Sequence, residues 1–280
     1  MNTVVYTAPV VKMEQLKDIF IELTAKNCNI RCRECYIKFP YTKNIKDFIK
    51  IDVIKKMLTE LQEEEIRCIY LTGAEPMTHP DFNSILRLCL KKSNVCIMTN
   101  ASFINEKKAR FLKNVEREGF NRIFFKLSFA HYDEMKNDAV RSRGAYRQNI
   151  YALKCLDKYE FINILSVANY YKEPHSLIVE QFTEKLESWG IENAIIQVSE
   201  WVNDTMPEDR MDTDTPTDCK TSRTLTANGV FSCPFLANDY RGRCGSDFSD
   251  YSDTVRLETN FCATCIRNKD KMFSVDIDWE

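Results

Sequence analysis

A chain of 280 residues can bury a full hydrophobic core in one or two domains, so its twelve cysteines are not required as staples. Seven glycines, none at the right spacing, exclude a dinucleotide fingerprint and a P-loop. A formal charge of -2, with Lys and Arg interspersed among Asp and Glu, leaves no basic field for nucleic acid, and no apolar run reaches the roughly 18 residues of a membrane span.

Residues 1–16 alternate short apolar and charged stretches instead of forming a signal segment. That reads as a cytoplasmic chain, in which thiols stay reduced and clustered cysteines serve metal or redox chemistry. From residue 17 to 200 short apolar or β-branched runs alternate with amphipathic ones. Strands are predicted at Ile19 to Thr24, Ile66 to Thr72, Val95 to Thr99, Arg122 to Ser128, Ile162 to Val167 and Ala194 to Val198. Helical spacing is clear in Ile51, Ile54, Met57, Leu58 and Leu61, and again in Ile178, Phe182, Leu186 and Trp189. Six βαβ units make an open sheet or an incomplete barrel, and both place their chemistry at the carboxyl ends of the strands.

Taken in chain order, those strand ends carry the informative residues. The loop after the first strand, AKNCNIRCRECYIKF, sets Cys28, Cys32 and Cys35 in a Cys-x3-Cys-x2-Cys array. Three thiolates can hold three corners of a 4Fe-4S cube and leave one iron open to a chelating ligand. A zinc site wants a fourth ligand, and no further Cys or His lies close by in sequence. The second strand ends in LTGAEPMTHPDF, the third in IMTNAS and the fourth in FKLSFAHYD, followed by RSRGAY.

This set resembles the radical S-adenosylmethionine (SAM) superfamily: the Cys-x3-Cys-x2-Cys loop, a Gly-Gly-Glu-Pro-like segment at Gly73, Ala74, Glu75 and Pro76, Thr99 and Asn100, Ser128, and an Arg-Gly element at Arg143 and Gly144. The fold so implied is α/β, an open partial (β/α)6 TIM barrel over residues 17–200, after an N-terminal segment at 1–16. The resemblance implies that SAM chelates the open iron. Glu75 with the backbone at Gly73 and Ala74 would accept from its amino group, Arg143 would pair with its carboxylate, and Asn100 and Ser128 would also bind it. A flavodoxin- or ferredoxin-type donor would supply electrons. Two positions depart from the family pattern. Glu34 stands where an aromatic residue usually precedes the third cysteine, which passes the adenine contact to Tyr36, and Ala74 replaces a glycine.

Residues 201–218 read as an acidic linker, with Glu208, Asp209, Asp212, Asp214 and Asp218. Residues 219–280 have little core of their own and call for a metal or another staple. A hairpin signal at Asn228 and Gly229 joins Cys219 to Cys233, and Cys262 and Cys265 follow at two-residue spacing. Four such cysteines fit either zinc or a fully ligated 4Fe-4S cluster. Resemblance to the SPASM/twitch extension of radical SAM enzymes implies a second, auxiliary 4Fe-4S cluster.

Cys68, Cys89, Cys96 and Cys155 fall inside predicted elements and read as core. His79, at a helix start, reads as structural, and His131 as a residue able to face the cavity. Cys244, in a loop with glycine and basic neighbours, is the candidate catalytic residue, a hydrogen-atom donor. The expected function is hydrogen abstraction from an unactivated carbon of a natural-product intermediate, an aminosugar or aminocyclitol first, with epimerisation completed by Cys244. Oxidation of a small alcohol and modification of a ribosomal peptide are the alternatives. A non-catalytic iron-sulfur carrier or zinc protein is the distant one.

Overall fold

The computed structural model describes residues 8–37, 45–202 and 213–277. Six parallel strands follow one another in space as in sequence: β2 (Asp18–Thr24), β3 (Cys68–Gly73), β4 (Asn94–Thr99), β5 (Ile123–Phe129), β6 (Ile162–Asn169) and β7 (Ala194–Glu200), the short β1 (Val10–Lys12) lying before them. The crossovers carry α1 (Ile51–Glu60), α2 (Phe82–Leu90), α3 (Glu106–Glu116), α4 (Glu134–Val140), α5 (Ala145–Asp157) and α6 (His175–Trp189). Among the described residues no pairing joins β7 back to β2, so the barrel is open, as the six repeats predict.

Alternation along each strand divides the core. In β2, Ile19, Ile21 and Leu23 face the helices, while Phe20 points into the barrel with Cys68, Tyr70, Cys96, Phe124 and Ile164. Burial of each large apolar side chain contributes about 1.5–3 kcal/mol. Cys68 and Cys96 are thus interior filling, and Cys89 and Cys155 pack in the helix layer. His79 is also structural: Nε2 meets the Ile49 carbonyl at 2.8 Å and Nδ1 accepts from the Asp81 N–H at 3.0 Å.

Beyond the barrel the sheet does not stop. β8 (Ser222–Thr226) pairs parallel with β2, and β9 (Gly229–Phe231) and β10 (Arg243–Gly245) extend it as an antiparallel meander, giving nine strands in the order β10-β9-β8-β2-β3-β4-β5-β6-β7. β11 (Thr254–Arg256) pairs with β1, and α7 (Asn260–Asn268) follows. The expected hairpin is present at β8 and β9, and its attachment to the first barrel strand is the new element.

The segment after α7 closes the barrel from within. Met272 and Phe273 join the interior cluster, and their backbone is gripped from several sides. Lys126 donates from Nζ to the Met272 and Phe273 carbonyls at 3.0 and 2.8 Å, and burial lowers the pKa of its ammonium to about 8. Asp218 accepts from the N–H groups of Met272, Phe273 and Ser274 and from the Ser274 hydroxyl, all within 2.7–3.0 Å. The sequence places Asp218 in an acidic linker. The structure instead buries it as the anchor of this plug, while Glu208, Asp209 and Asp212 lie outside the described residues.

Candidate active site and second cysteine cavity

Cys28, Cys32 and Cys35 open onto one cavity at the carboxyl ends of the strands. Backbone geometry brings them there. Thr24 Oγ1 and the Lys26 N–H both donate to Asp47 Oδ1, at 2.6 and 2.9 Å, which turns the chain at the end of β2. The Arg33 N–H bonds to the carbonyl of Val140 at 2.8 Å, fastening the cysteine loop to the end of α4.

Gly73 takes φ +124°, and a Cβ there would lie 2.4 Å from the Thr24 carbonyl oxygen. The close approach lets the Ala74 N–H bond to that oxygen at 2.8 Å. Ala74 itself has no positive φ, so its methyl group is accommodated. Glu75, fully buried, accepts from the Met77 N–H and the Thr99 hydroxyl at Oε1 and from the Asn100 N–H at Oε2, at 3.2, 2.8 and 2.9 Å. Desolvation outweighs these bonds and raises its pKa to about 7. Asn100 passes the constraint on: its Nδ2 lies 3.5 Å from Cys28 Sγ and 3.0 Å from Asn29 Oδ1. Gly73, Ala74, Glu75, Asn100, Ser128 and Tyr36 all line the cavity.

Arg143 does not. It is exposed and outside the lining, and the guanidinium that enters the cavity belongs to Arg141, only 3% exposed. The cause is local: Arg141 is the residue at which α4 ends and points inward with it, whereas Arg143 sits on the turn before α5, next to the left-handed Gly144. Arg141 Nη1 lies 3.5 Å from Glu34 Oε1, close enough for an ion pair but not aligned as a hydrogen bond. Glu34 Oε2 and Arg141 Nε and Nη1 are buried without hydrogen-bond partners, two charged side chains left with capacity for a ligand. Burial pushes the Glu34 carboxyl up to about 7 against the pull of Arg141.

The Tyr36 ring packs edge-on to Phe235 and Phe273, with centroids 5.3 and 5.7 Å apart. Phe235 and Phe273 also line a second, smaller and almost wholly apolar cavity, into which Cys219, Cys233, Cys262 and Cys265 all point. These are the four cysteines that sequence spacing pairs, brought together from the turn before β8, the segment just after β9, and α7. Thr217 and Thr259 hydroxyls stand 3.2 and 3.3 Å from Cys219 and Cys262 Sγ. Burial pushes the Cys219 thiol up to about 11 and the Cys32 thiol up to about 12, so a cluster at either place must displace protons as it binds. Three thiols on a wide cavity that also holds unpartnered charged groups, and four on a smaller apolar one, match the ligand counts of an open-iron cluster and a fully ligated one respectively.

Cys244 stands outside the first cavity and packs at the margin of the apolar cluster that holds Cys219 and Cys262. It lies on β10, lines neither cavity, and directs its thiol at the Gly242 carbonyl, 3.5 Å away. A hydrogen donor must reach the substrate carbon, and pairing with β9 holds this thiol at the sheet edge. His131 likewise stays outside the cavity lining, bonded to Glu173 at 3.0 Å and to the Asp133 N–H at 2.8 Å. Lys126, Glu200, Trp201, Met272 and Phe273 line the cavity without having been singled out from sequence. Only Glu200 and Trp201 carried a signal, as polar and aromatic residues just past a predicted strand.

The radical SAM superfamily model matches residues 23–175, more than half the chain. Over 137 residues the chain is 26% identical to the antilisterial bacteriocin subtilosin biosynthesis protein AlbA of Bacillus subtilis (strain 168), a match over 48% of this chain and 29% of AlbA. The chain therefore spans under a third of that relative's length. Among solved structures, native anSMEcpe with bound AdoMet superposes with a TM-score of 0.64 at 14% identity, over 84% of this chain and 79% of that one. Streptococcus suis SuiB bound to precursor peptide SuiA gives 0.63 at 12% identity, over 86% and 64%. Both superpositions cover more of the chain than residues 17–200 supply, so the likeness of fold runs on into the extension. With the family model laid across the cysteine loop and the strand ends that shape its cavity, this chain belongs to the radical SAM superfamily, whose members work with a 4Fe-4S cluster and SAM.

Proposed function

We propose that the protein oxidises a carbon centre of a peptide substrate, Cys28, Cys32 and Cys35 holding the cluster that binds SAM and Cys219, Cys233, Cys262 and Cys265 holding an auxiliary 4Fe-4S cluster. The observation that carries this reading is the pair of cysteine cavities with a common wall of Phe235 and Phe273. When bound, the reduced first cluster with SAM supplies a 5'-deoxyadenosyl radical that takes a hydrogen atom from the substrate, and the second cluster supplies an acceptor for the remaining electron.

The chain's own residues do the rest. Arg141, with nitrogens free toward the cavity, binds the SAM carboxylate in the role expected of Arg143. Glu75 fixes Asn100 and through it Cys28. Loss of an electron from a carbon radical also releases a proton, and of the three carboxylates in the lining Glu75 is buried and the Glu34 side chain only 9% exposed, while the Glu200 side chain is 42% exposed and able to pass a proton to water. Oxidation is preferred to epimerisation because, among the described residues, no thiol but the three loop cysteines lines the cavity. The barrel as one body at residues 17–200 and the extension from 219 as the auxiliary-cluster body, joined through 201–218, complete the proposal.

A peptide is favoured over an aminosugar by the company the fold keeps: SuiB was solved with its precursor peptide, anSMEcpe with peptides, and AlbA acts in bacteriocin biosynthesis. A small alcohol is the second reading, favoured by the likeness to BtrN in complex with AdoMet and 2-DOIA, with a TM-score of 0.50 at 14% identity. Anaerobically reconstituted and reduced protein, given SAM and candidate peptides or amino alcohols, is expected to release 5'-deoxyadenosine and a peptide product lighter by two hydrogens. Product of unchanged mass in ordinary water that gains one deuterium in heavy water would instead favour epimerisation. Turnover of amino alcohols alone would favour the second reading.

A further inference from the structure

Arg223, on β8, is the bulkiest side chain that folding hides completely, with 0% exposure. Its Nη1 donates to the carbonyls of Cys219 and Ser222, both at 2.7 Å, and its Nε and Nη2 donate to the Ser252 carbonyl at 3.3 and 3.2 Å. Every partner is a neutral oxygen. Among the described residues no carboxylate pairs with it, and Asp218, the acid nearest Cys219 in sequence, spends its lone pairs on residues 272–274. A buried charge without a counter-charge costs several kcal/mol, so a fixed guanidinium in this position implies an anion that the polypeptide alone does not provide.

The place identifies the anion's class. Arg223 grips the backbone of Cys219, one of the four thiols of the apolar cavity. We infer that Arg223 is the counter-charge of an anionic four-thiolate iron-sulfur cluster at Cys219, Cys233, Cys262 and Cys265 and raises its reduction potential. The inference rests on the reading of that cavity as a cluster site. A cube with four thiolates is already negative and becomes more so on taking an electron, and a nearby cation in a medium of low dielectric stabilises the reduced form more than the oxidised one. Arg223 is thus a positioning residue that makes the cluster a better electron acceptor.

The test uses the full-length chain with Cys28, Cys32 and Cys35 replaced by Ala, so that one cluster at most remains. Iron and sulfide analysis after anaerobic reconstitution comes first. Absence of sulfide, or zinc in place of iron, refutes the cluster reading itself and the inference with it. With a cluster present, its midpoint potential is read by electron paramagnetic resonance during reductive titration. Arg223→Lys is expected to hold the potential near the parent value, and Arg223→Gln and Arg223→Met to shift it downward with iron content unchanged. Cys244→Asp, which brings a carboxylate to a site where the Arg223 charge is already felt, keeps the guanidinium and is expected to shift the potential the same way. It serves where the Gln and Met chains do not fold. Potentials equal across the variants that fold, Cys244→Asp included, would overturn the inference.

Discussion

The two cysteine cavities share two phenylalanines and differ in almost everything else. The first is wide, opens at the strand ends, and contains charged groups whose hydrogen-bonding capacity is unused, Glu34 and Arg141. The second is lined by Phe, Leu, Val and Ile side chains around four thiols, and its nearest charges, Asp218 and Arg223, are spent on backbone. Three ligands beside unused polar groups suit a centre that must admit a substrate-like molecule. Four ligands in a dry room suit one that exchanges only electrons.

The largest expected effect is loss of SAM chemistry on one side alone. Replacing Cys28, Cys32 or Cys35 with Ala should bring 5'-deoxyadenosine to background while about half the reconstituted iron remains, a fraction set by one cubane of two. Cys262→Ala should do the reverse, leaving SAM cleavage measurable and abolishing oxidised product. If Cys262→Ala also stops SAM cleavage with the first cluster intact, the contrast between the cavities is broken.

Arg141→Ala comes next. Loss of a charge-assisted bond worth about 1.5–3 kcal/mol should weaken SAM binding to the cluster-loaded protein roughly 10- to 100-fold by equilibrium dialysis, with Arg143→Ala unchanged. The reverse outcome would return the carboxylate contact to the exposed arginine.

The smallest effect concerns the seam between the two regions. Glu22, inside the barrel, accepts from Asn238 Nδ2 of the extension at 2.6 Å, and burial raises its pKa to about 7. A carboxyl whose pKa rises on folding favours the native state fully below its ordinary value near 4.5 and loses that contribution as pH climbs through 7. Urea unfolding of cluster-free protein at pH 5 and pH 8 should show Glu22→Gln gaining on the parent at the higher pH, by on the order of 3 kcal/mol. Equal pH dependence in both proteins would mean that Glu22 ionises freely in the fold.

Local pattern made the barrel legible. The expected strand at Ile162 to Val167 is β6 at Ile162–Asn169, and that at Arg122 to Ser128 is β5 at Ile123–Phe129, because a parallel strand buried on both faces announces itself as an apolar run. The cysteine groups were equally readable from spacing. What escaped depends on contacts distant in sequence. Nothing within RSRGAY distinguishes an arginine leaving a helix inward from one two residues later on an exposed turn. Cys244 reads as a free loop thiol because the pairing of its neighbours Arg243 and Gly245 with β9 is a matter of register. The Met272 to Val275 plug has no periodicity, and its order comes from Asp218, Lys126 and Tyr70, each more than fifty residues away.

The parallel pairing of β8 with β2 bears on how the molecule can be taken apart. Cutting the chain after Val202 would remove the strand that covers the free side of β2, baring a row of backbone donors and acceptors on a fully buried strand. The catalytic loop follows directly from that strand. A barrel made without its extension would therefore tend to stick to itself at the very edge that supports its cysteines, which makes the extension a protective cover as well as a second cofactor site.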